Sequence, residues 1–420
     1  MRMTLTDRKV IFLQGPSSLF FAHVARSCRK RGAETLRIGF APGDHLYWPR
    51  SAGRYLAWRG TPADYRAELR RLLERERPTD LVMLGDGRPY HRMTLDLLRG
   101  LKTPAPTPWI VEHGYLRPGL ILVETWGMGG MSQIPAAFRA SGAPAAGQGV
   151  PGAAFPGSFA RYAALDVGYH LANLCAGRLL YPHYRPYAED GPIREYAGWI
   201  GKGLALPRRR AAAARAAARI AAHRGPVFLF PLQLAGDYQI RNYGTGEPLS
   251  VILRRVMDSF AAHAPPDALL VVRQHPLDNG LAHWGRQVAQ AGLGDRVVFQ
   301  DGGSSAPVMA RAAGLVTVNS TMGLEAILKG LPCHVLGRAI YALPGLVSEG
   351  TLETFWSAPR APDAGRVKAF EAFLRRNYHV PGSFDGPGAL VGAENLADRL
   401  ALPPPPVFPH DEMESECPPS

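Results

Sequence analysis

Short, mostly apolar runs recur along the chain, each followed by turn residues or by a stretch with helical spacing. In the first half they occupy residues 10–13, 35–40, 81–84 and 109–112. Short runs of this kind, alternating with helical stretches, suit buried parallel strands, so they predict an α/β unit with a parallel sheet between helices. A second series predicts strands at 227–230, 269–272, 296–299, 314–318 and 333–336. Helical segments separate them, as in a second Rossmann-like domain.

Between about Pro186 and Gly225 the pattern changes to an Ala/Arg-rich helix over 208–223, preceded by Pro207. Its apolar face is mostly alanine and offers little to bury, so it reads as a solvated linker helix near the domain junction. The resulting division is a first domain at 1–200, a second at 201–395 and a disordered Pro-rich tail at 396–420. A length of 420 residues also exceeds what one core usually organises.

Composition changes this picture little. Hydrophobic residues make up 46% and charged residues 20%, ordinary for a folded soluble chain, and no uninterrupted apolar stretch has the length of a membrane span. Gln14, Gly15 and Pro16 interrupt the first apolar run, which therefore reads as strand and turn rather than a signal peptide. Cys28, Cys175, Cys333 and Cys417 lack the spacing of a metal site or a disulfide framework and suit a reducing compartment. The net charge of +13 favours anionic partners: nucleic acid, anionic lipid and nucleotide sugar all qualify. An Ala- and Arg-rich compositional bias accounts for it equally well.

Candidate chemistry concentrates after the strands of the second series. Arg273, Gln274, His275 and Pro276 follow one of them, and ligands of open α/β sheets bind beyond the carboxyl ends of strands. Arg273 and His275 are thus placed to face a phosphate. Asn319, Ser320 and Thr321 precede a helix carrying Glu325, where hydroxyls and free N–H groups make an anion site and Glu325 can take ribose hydroxyls. An ordinary Ser/Thr cap gives the same pattern. Gln233 and Asp237 follow the first strand of this series; a carboxylate there can serve glycosyl transfer as nucleophile or base, and a turn aspartate is the plain alternative.

The longer pattern resembles the capsule polysaccharide biosynthesis/export family. It comprises Leu13-Gln14-Gly15-Pro16, 40–44, Gly85-Asp86-Gly87-Arg88 with His91, 112–118, 231–237, Gln274-His275-Pro276 and 319–325. Within that family the chain is most similar to the single-module β-Kdo transferases that begin a lipid-linked capsule primer. The resemblance implies a GT-B-like fold, two Rossmann-like domains with a cleft between them. It also implies transfer of Kdo from CMP-Kdo, with retention, to a phosphatidylglycerol-type lipid at the inner face of the cytoplasmic membrane. By the same resemblance Arg273, His275, Pro276, Asn319, Ser320, Thr321 and Glu325 bind the nucleotide and Asp237 forms the covalent sugar intermediate. Glu112 is assigned to proton transfer, and Asp86, Arg88, His91, Tyr115 and Arg117 to the acceptor side. No cofactor or metal is implied, since no Asp-x-Asp triplet is present. The partners implied are a second Kdo transferase and the capsule export complex, not nucleic acid. CMP-sialic acid as donor, a UDP-sugar epimerase, and a non-catalytic basic adaptor of capsule export are the rival readings.

Overall fold

A computed structural model describes residues 4–101, 105–142, 155, 158–184, 192–234 and 244–408. The chain divides into two compact units, Met1–Tyr187 with Ala372–Ser415 in one and Ala188–Glu371 in the other.

The first unit is built on a seven-stranded sheet: β1 (Lys9–Phe12), β2 (Glu34–Gly39), β3 (Arg54–Ala57), β4 (Asp80–Leu84), β5 (Thr107–His113), β6 (Leu120–Thr125) and β12 (His379–Pro381). Its order is β12-β6-β5-β4-β1-β2-β3. The pairs from β3 to β5 are parallel, whereas β6 runs antiparallel to β5 and β12 antiparallel to β6. The apolar runs predicted from sequence are the parallel strands of this sheet. Their side chains on both faces are covered, with Val10, Ile11, Phe12, Val82 and Trp109 fully buried.

The boundary expected at 395 does not hold, nor does a tail that begins at 396. Residues from Ala372 onward belong to the first unit, where β12 extends its sheet. The helix Gly388–Ala401 buries Leu396 and Leu400 completely, and both lie in the same core cluster as Phe20 and Val24 of the helix Phe20–Lys30. Arg31 fixes the two helices with Nη2 2.7 Å from Asp398 Oδ1 and 2.9 Å from Glu394 Oε2. Gly382 and Gly392 allow an approach that a side chain would block: a Cβ on Gly382 would stand 2.3 Å from Gly392 Cα.

The second unit holds a wholly parallel sheet of β7 (Val227–Pro231), β8 (Leu269–Arg273), β9 (Val297–Gln300), β10 (Gly314–Thr317) and β11 (Cys333–Val335). Its order is β11-β10-β7-β8-β9. The Ala/Arg-rich segment is the helix Leu206–Ala222, mostly exposed as expected, but it is part of the second unit rather than a linker. It belongs to this unit, buries Ala216 and Ile220, and anchors through Arg209, whose Nε and Nη2 donate to Asp301 at 2.6 and 2.7 Å. Two α/β units of Rossmann-like build, the first with an antiparallel β6–β12 edge and the second wholly parallel, give the α/β, GT-B-like class expected.

Candidate functional site

In the second unit, chain order runs outward from β7 in both directions, so the sheet's topological switch lies between β7 and β10, beyond whose carboxyl ends a ligand crevice forms. Gln233 and Asn319, 86 positions apart, meet there: Gln233 Nε2 donates to Asn319 Oδ1 at 2.8 Å and Asn319 N donates to Gln233 Oε1 at 3.3 Å. This reciprocal amide pair fixes the start of the next turn. Ser320 caps the helix Thr321–Leu328, its Oγ accepting from Met322 N at 3.2 Å, and its carbonyl accepts from the buried Tyr341 hydroxyl. Thr321 is exposed at the helix N-terminus, where partial positive charge favours an anion. Glu325, one turn further, is engaged by Lys329, with Nζ 2.6 Å from Oε1.

On the neighbouring loop after β8, His275 is half-buried and Pro276 exposed. His275 Nδ1 accepts from Leu277 N at 3.1 Å, which leaves the proton of the neutral ring on Nε2. Arg273 departs from the sequence reading. Its guanidinium is buried and donates to Gln300 Oε1 at 2.7 Å and to the carbonyls of Gly302 and Gly303. Arg273 therefore organises the loop after β9 instead of facing a phosphate, because its donors are committed to protein oxygens. Asp237 lies outside the described residues.

Sequence reasoning missed the group that shapes this loop. Asp278 is buried and accepts from Gln274 Nε2 at 2.6 Å, Gly280 N at 2.7 Å and Trp284 Nε1 at 3.0 Å. Lys202 Nζ donates to its backbone oxygen at 2.5 Å. The turn sequence Asp278-Asn279-Gly280, one residue beyond His-Pro, was the available signal.

The acceptor-side residues all lie around the carboxyl ends of β4 and β5 in the first unit. Gly85 turns the chain with φ +61°, and Asp86 follows, buried, with Oδ2 accepting from Met128 N at 2.9 Å. Burial pushes the Asp86 carboxyl up to about 6. His91 is fully buried, bonded through Nδ1 to Gly85 O at 2.9 Å, and burial with the nearby Arg88 holds its pKa down at about 3. Both side chains thus serve the Gly85–Asp86 turn. Glu112 is half-buried on β5, Oε1 accepting from His113 N at 2.9 Å, and its other oxygen stands across Gly85, where an added Cβ would sit 3.3 Å away. Arg117 is exposed, with Nε 3.3 Å from Gly114 O.

Tyr115 leads to a second missed residue, Glu124. The Tyr115 hydroxyl donates to Glu124 Oε1 at 2.8 Å and accepts from Gly129 N at 2.8 Å, while Ser132 Oγ bonds Glu124 Oε2. Glu124 is fully buried, and burial pushes its carboxyl up to about 8. Met128, Gly129 and Ser132 belong to one glycine-rich loop, so Asp86, Tyr115 and Glu124 together pin that loop to the sheet. A buried glutamate closing the apolar run Leu120 to Val123 was the signal.

The two earliest motifs are absorbed by a buried network. Asp44 Oδ1 accepts from Arg37 Nη2 at 2.9 Å and its Oδ2 from Phe40 N at 2.8 Å, and Gln14 Nε2 reaches the Tyr169 hydroxyl at 2.6 Å.

Residues 79–384, spanning the motifs from Asp86 to Glu325, match the capsule polysaccharide biosynthesis protein family. The chain belongs to that family. Among relatives it is 28% identical over 383 residues to the capsule polysaccharide export protein KpsS of Escherichia coli, covering 88% of this chain and 95% of that one. It is 26% identical over 385 residues to the capsule polysaccharide modification protein LipB of Neisseria meningitidis serogroup A, covering 89% and 91%. Among solved structures, Thermosulfurimonas dismutans KpsC, beta Kdo 2,7 transferase, aligns with a TM-score of 0.43 at 14% identity, over 93% of this chain and 99% of that one. No helix among the described residues is long and apolar enough to cross a membrane.

Proposed function

We propose that this family member is a retaining glycosyltransferase that moves β-Kdo from CMP-Kdo to a phosphatidylglycerol-type lipid, starting the capsule polysaccharide linker at the inner face of the cytoplasmic membrane. The observation that carries the reading is the cluster at the switch point of the second sheet: the Gln233–Asn319 pair, the Ser320–Thr321 helix start and the half-buried His275 on the adjacent loop. A nucleoside monophosphate leaving group is stabilised by hydrogen-bond donors and a helix N-terminus around its phosphate, and these residues offer both. Glu325 takes the ribose by exchanging its surface partner Lys329 for the sugar hydroxyls.

In this reading Asp237 attacks the anomeric carbon as CMP leaves, and the lipid hydroxyl then displaces the carboxylate, so two inversions give net retention. Glu112 accepts the proton of that hydroxyl. No cofactor or metal is invoked. A second Kdo transferase would extend the product before export.

The test supplies purified protein with CTP, Kdo, a CMP-Kdo synthetase and a fluorescent phosphatidylglycerol analogue, and looks by mass spectrometry for one added Kdo. Asp237→Ala should abolish that product while CMP binding persists. CMP binding without a Kdo-lipid would move the donor to CMP-sialic acid or another acidic sugar. No nucleotide binding would refute the enzyme and favour the basic adaptor.

A further inference from the structure

The helix Phe159–Leu180 in the first unit has two sides with different surroundings. Its inner side is tied down at four-residue intervals. Leu165 O accepts from the Tyr47 hydroxyl at 2.7 Å, Tyr169 is buried against Gln14, and Asn173 Oδ1 accepts from Gly43 N at 2.8 Å. The outer side runs through Ala164, Val167, Leu171, Leu174 and Arg178, the spacing of one helical stripe. Helices facing water place polar residues there, yet Val167 is 48%, Leu171 55% and Leu174 73% exposed.

The next helix, Pro192–Leu204, considered by itself, repeats the inversion. It buries Lys202 while Ile200 and Leu204 are exposed by 65% and 81%, with Trp199 beside them. Apolar side chains outward and a lysine inward is the pattern of a helix whose outer medium is itself apolar.

Charge decides between occupants. Arg161 and Arg178 are exposed near the two ends of Phe159–Leu180, and the helix's one acid, Asp166, stands 3.7 Å from His170. Pairing the stripe with a second copy antiparallel brings Arg161 against Arg178, and pairing it parallel brings each arginine against its counterpart. Like charges oppose both arrangements. An anionic surface suits both arginines at once.

We propose that the outer face of Phe159–Leu180 docks on an anionic lipid bilayer. The helix lies in the interface with Val167, Leu171 and Leu174 among the acyl chains and Arg161 and Arg178 at the phosphates. The proposal rests on the reading that the acceptor is a phospholipid, and it supplies the surface that brings the protein to it.

Cys175 lies beside this stripe and is exposed, whereas Cys28 and Cys333 are buried. The full chain carrying Cys417→Ser, labelled at Cys175 with an environment-sensitive fluorophore, is mixed with vesicles of phosphatidylcholine alone or with phosphatidylglycerol. A blue shift with the anionic vesicles, reduced by salt, is expected. The unlabelled triple variant Val167→Glu, Leu171→Glu, Leu174→Glu should lose vesicle partitioning about tenfold or more at an unchanged melting temperature. The proposal is overturned by an unshifted label, by triple-variant binding equal to wild type, or by a wild-type dimer that the triple variant splits while vesicle binding stays intact. Vesicle binding needs no turnover, so it stands or falls separately from the enzyme reading. Transfer to a water-soluble short-chain phosphatidylglycerol, retained in the triple variant, would support docking as a role distinct from catalysis.

Discussion

Replacing Glu124 with glutamine tests the polar pin beneath the glycine-rich loop. Glu124 has no solvent exposure, and its carboxyl is pushed from its ordinary 4.5 up to about 8 by burial. At neutral pH it is therefore mostly protonated, with one oxygen accepting from Tyr115 and the other bonded to Ser132. Glutamine reproduces that shape, offering its oxygen to Tyr115 and its amide to Ser132. A carboxyl whose folded pKa exceeds its unfolded one favours folding fully below the unfolded value, and this contribution is lost as pH rises through the folded value. Between pH 5 and 8 the wild type should lose stability against Glu124→Gln by on the order of 1 kcal/mol per pH unit. For a unit of this size that is roughly 2–4 °C in melting temperature per pH unit. Paired thermal melts at pH 5, 6, 7 and 8 measure the difference directly, since other titrating groups cancel between the two proteins. A difference that stays flat across the window would refute the reasoning, because it would mean Glu124 keeps its ordinary ionisation in the folded state. Glu124→Leu, which leaves Tyr115 and Ser132 without their partner, should be less stable at every pH by roughly 1–3 kcal/mol.

Three further outcomes follow from the geometry. Leu396→Ala should cost roughly 2–5 kcal/mol in denaturant unfolding, as expected for a fully buried leucine in the first unit's core, and a surface-like loss below 0.5 would contradict its placement there. Arg273→Lys, which replaces a fork bonded to three oxygen partners by a single ammonium, should lower stability by about 1–3 kcal/mol without altering the salt dependence of CMP binding. A steep change in that salt dependence would return Arg273 to the phosphate. His275→Ala and Gln233→Ala should each weaken CMP binding at least several-fold by calorimetry, and unchanged affinity in both would remove the switch-point cluster from the donor site.

The inner parallel strands were legible because both faces are covered, so runs such as Val227 to Phe230 carry no polar interruption. The strand β3 was not: as an edge strand it has alternating exposure and the sequence Arg54-Tyr55-Leu56-Ala57. The antiparallel pair of β6 and β12 was also missed, since β12 is three residues long and its partner lies far away in sequence. Local pattern cannot announce such pairing. In the site, the loops after strands were located from sequence, but the direction of each side chain was not. Arg273 and His275 sit two positions apart at one strand end, yet Arg273 turns to the loop after β9 while His275 remains half-exposed. The Gln233–Asn319 pair depends on β7 and β10 being neighbours, a property of strand order rather than of either segment.

The late return of the chain to its first sheet imposes a schedule on biosynthesis. When β6 leaves the ribosome its outer edge has no neighbour, and β12 follows roughly 250 residues later, which at ordinary elongation rates is a wait of roughly ten to fifty seconds. During that interval the nascent first unit presents an open strand edge and an uncovered helix Phe20–Lys30, the surfaces most prone to wrong association. Chain termination before residue 401 would leave that unit unfinished, so translation of residues 372–401 governs whether the core begun by residues 1–187 can close.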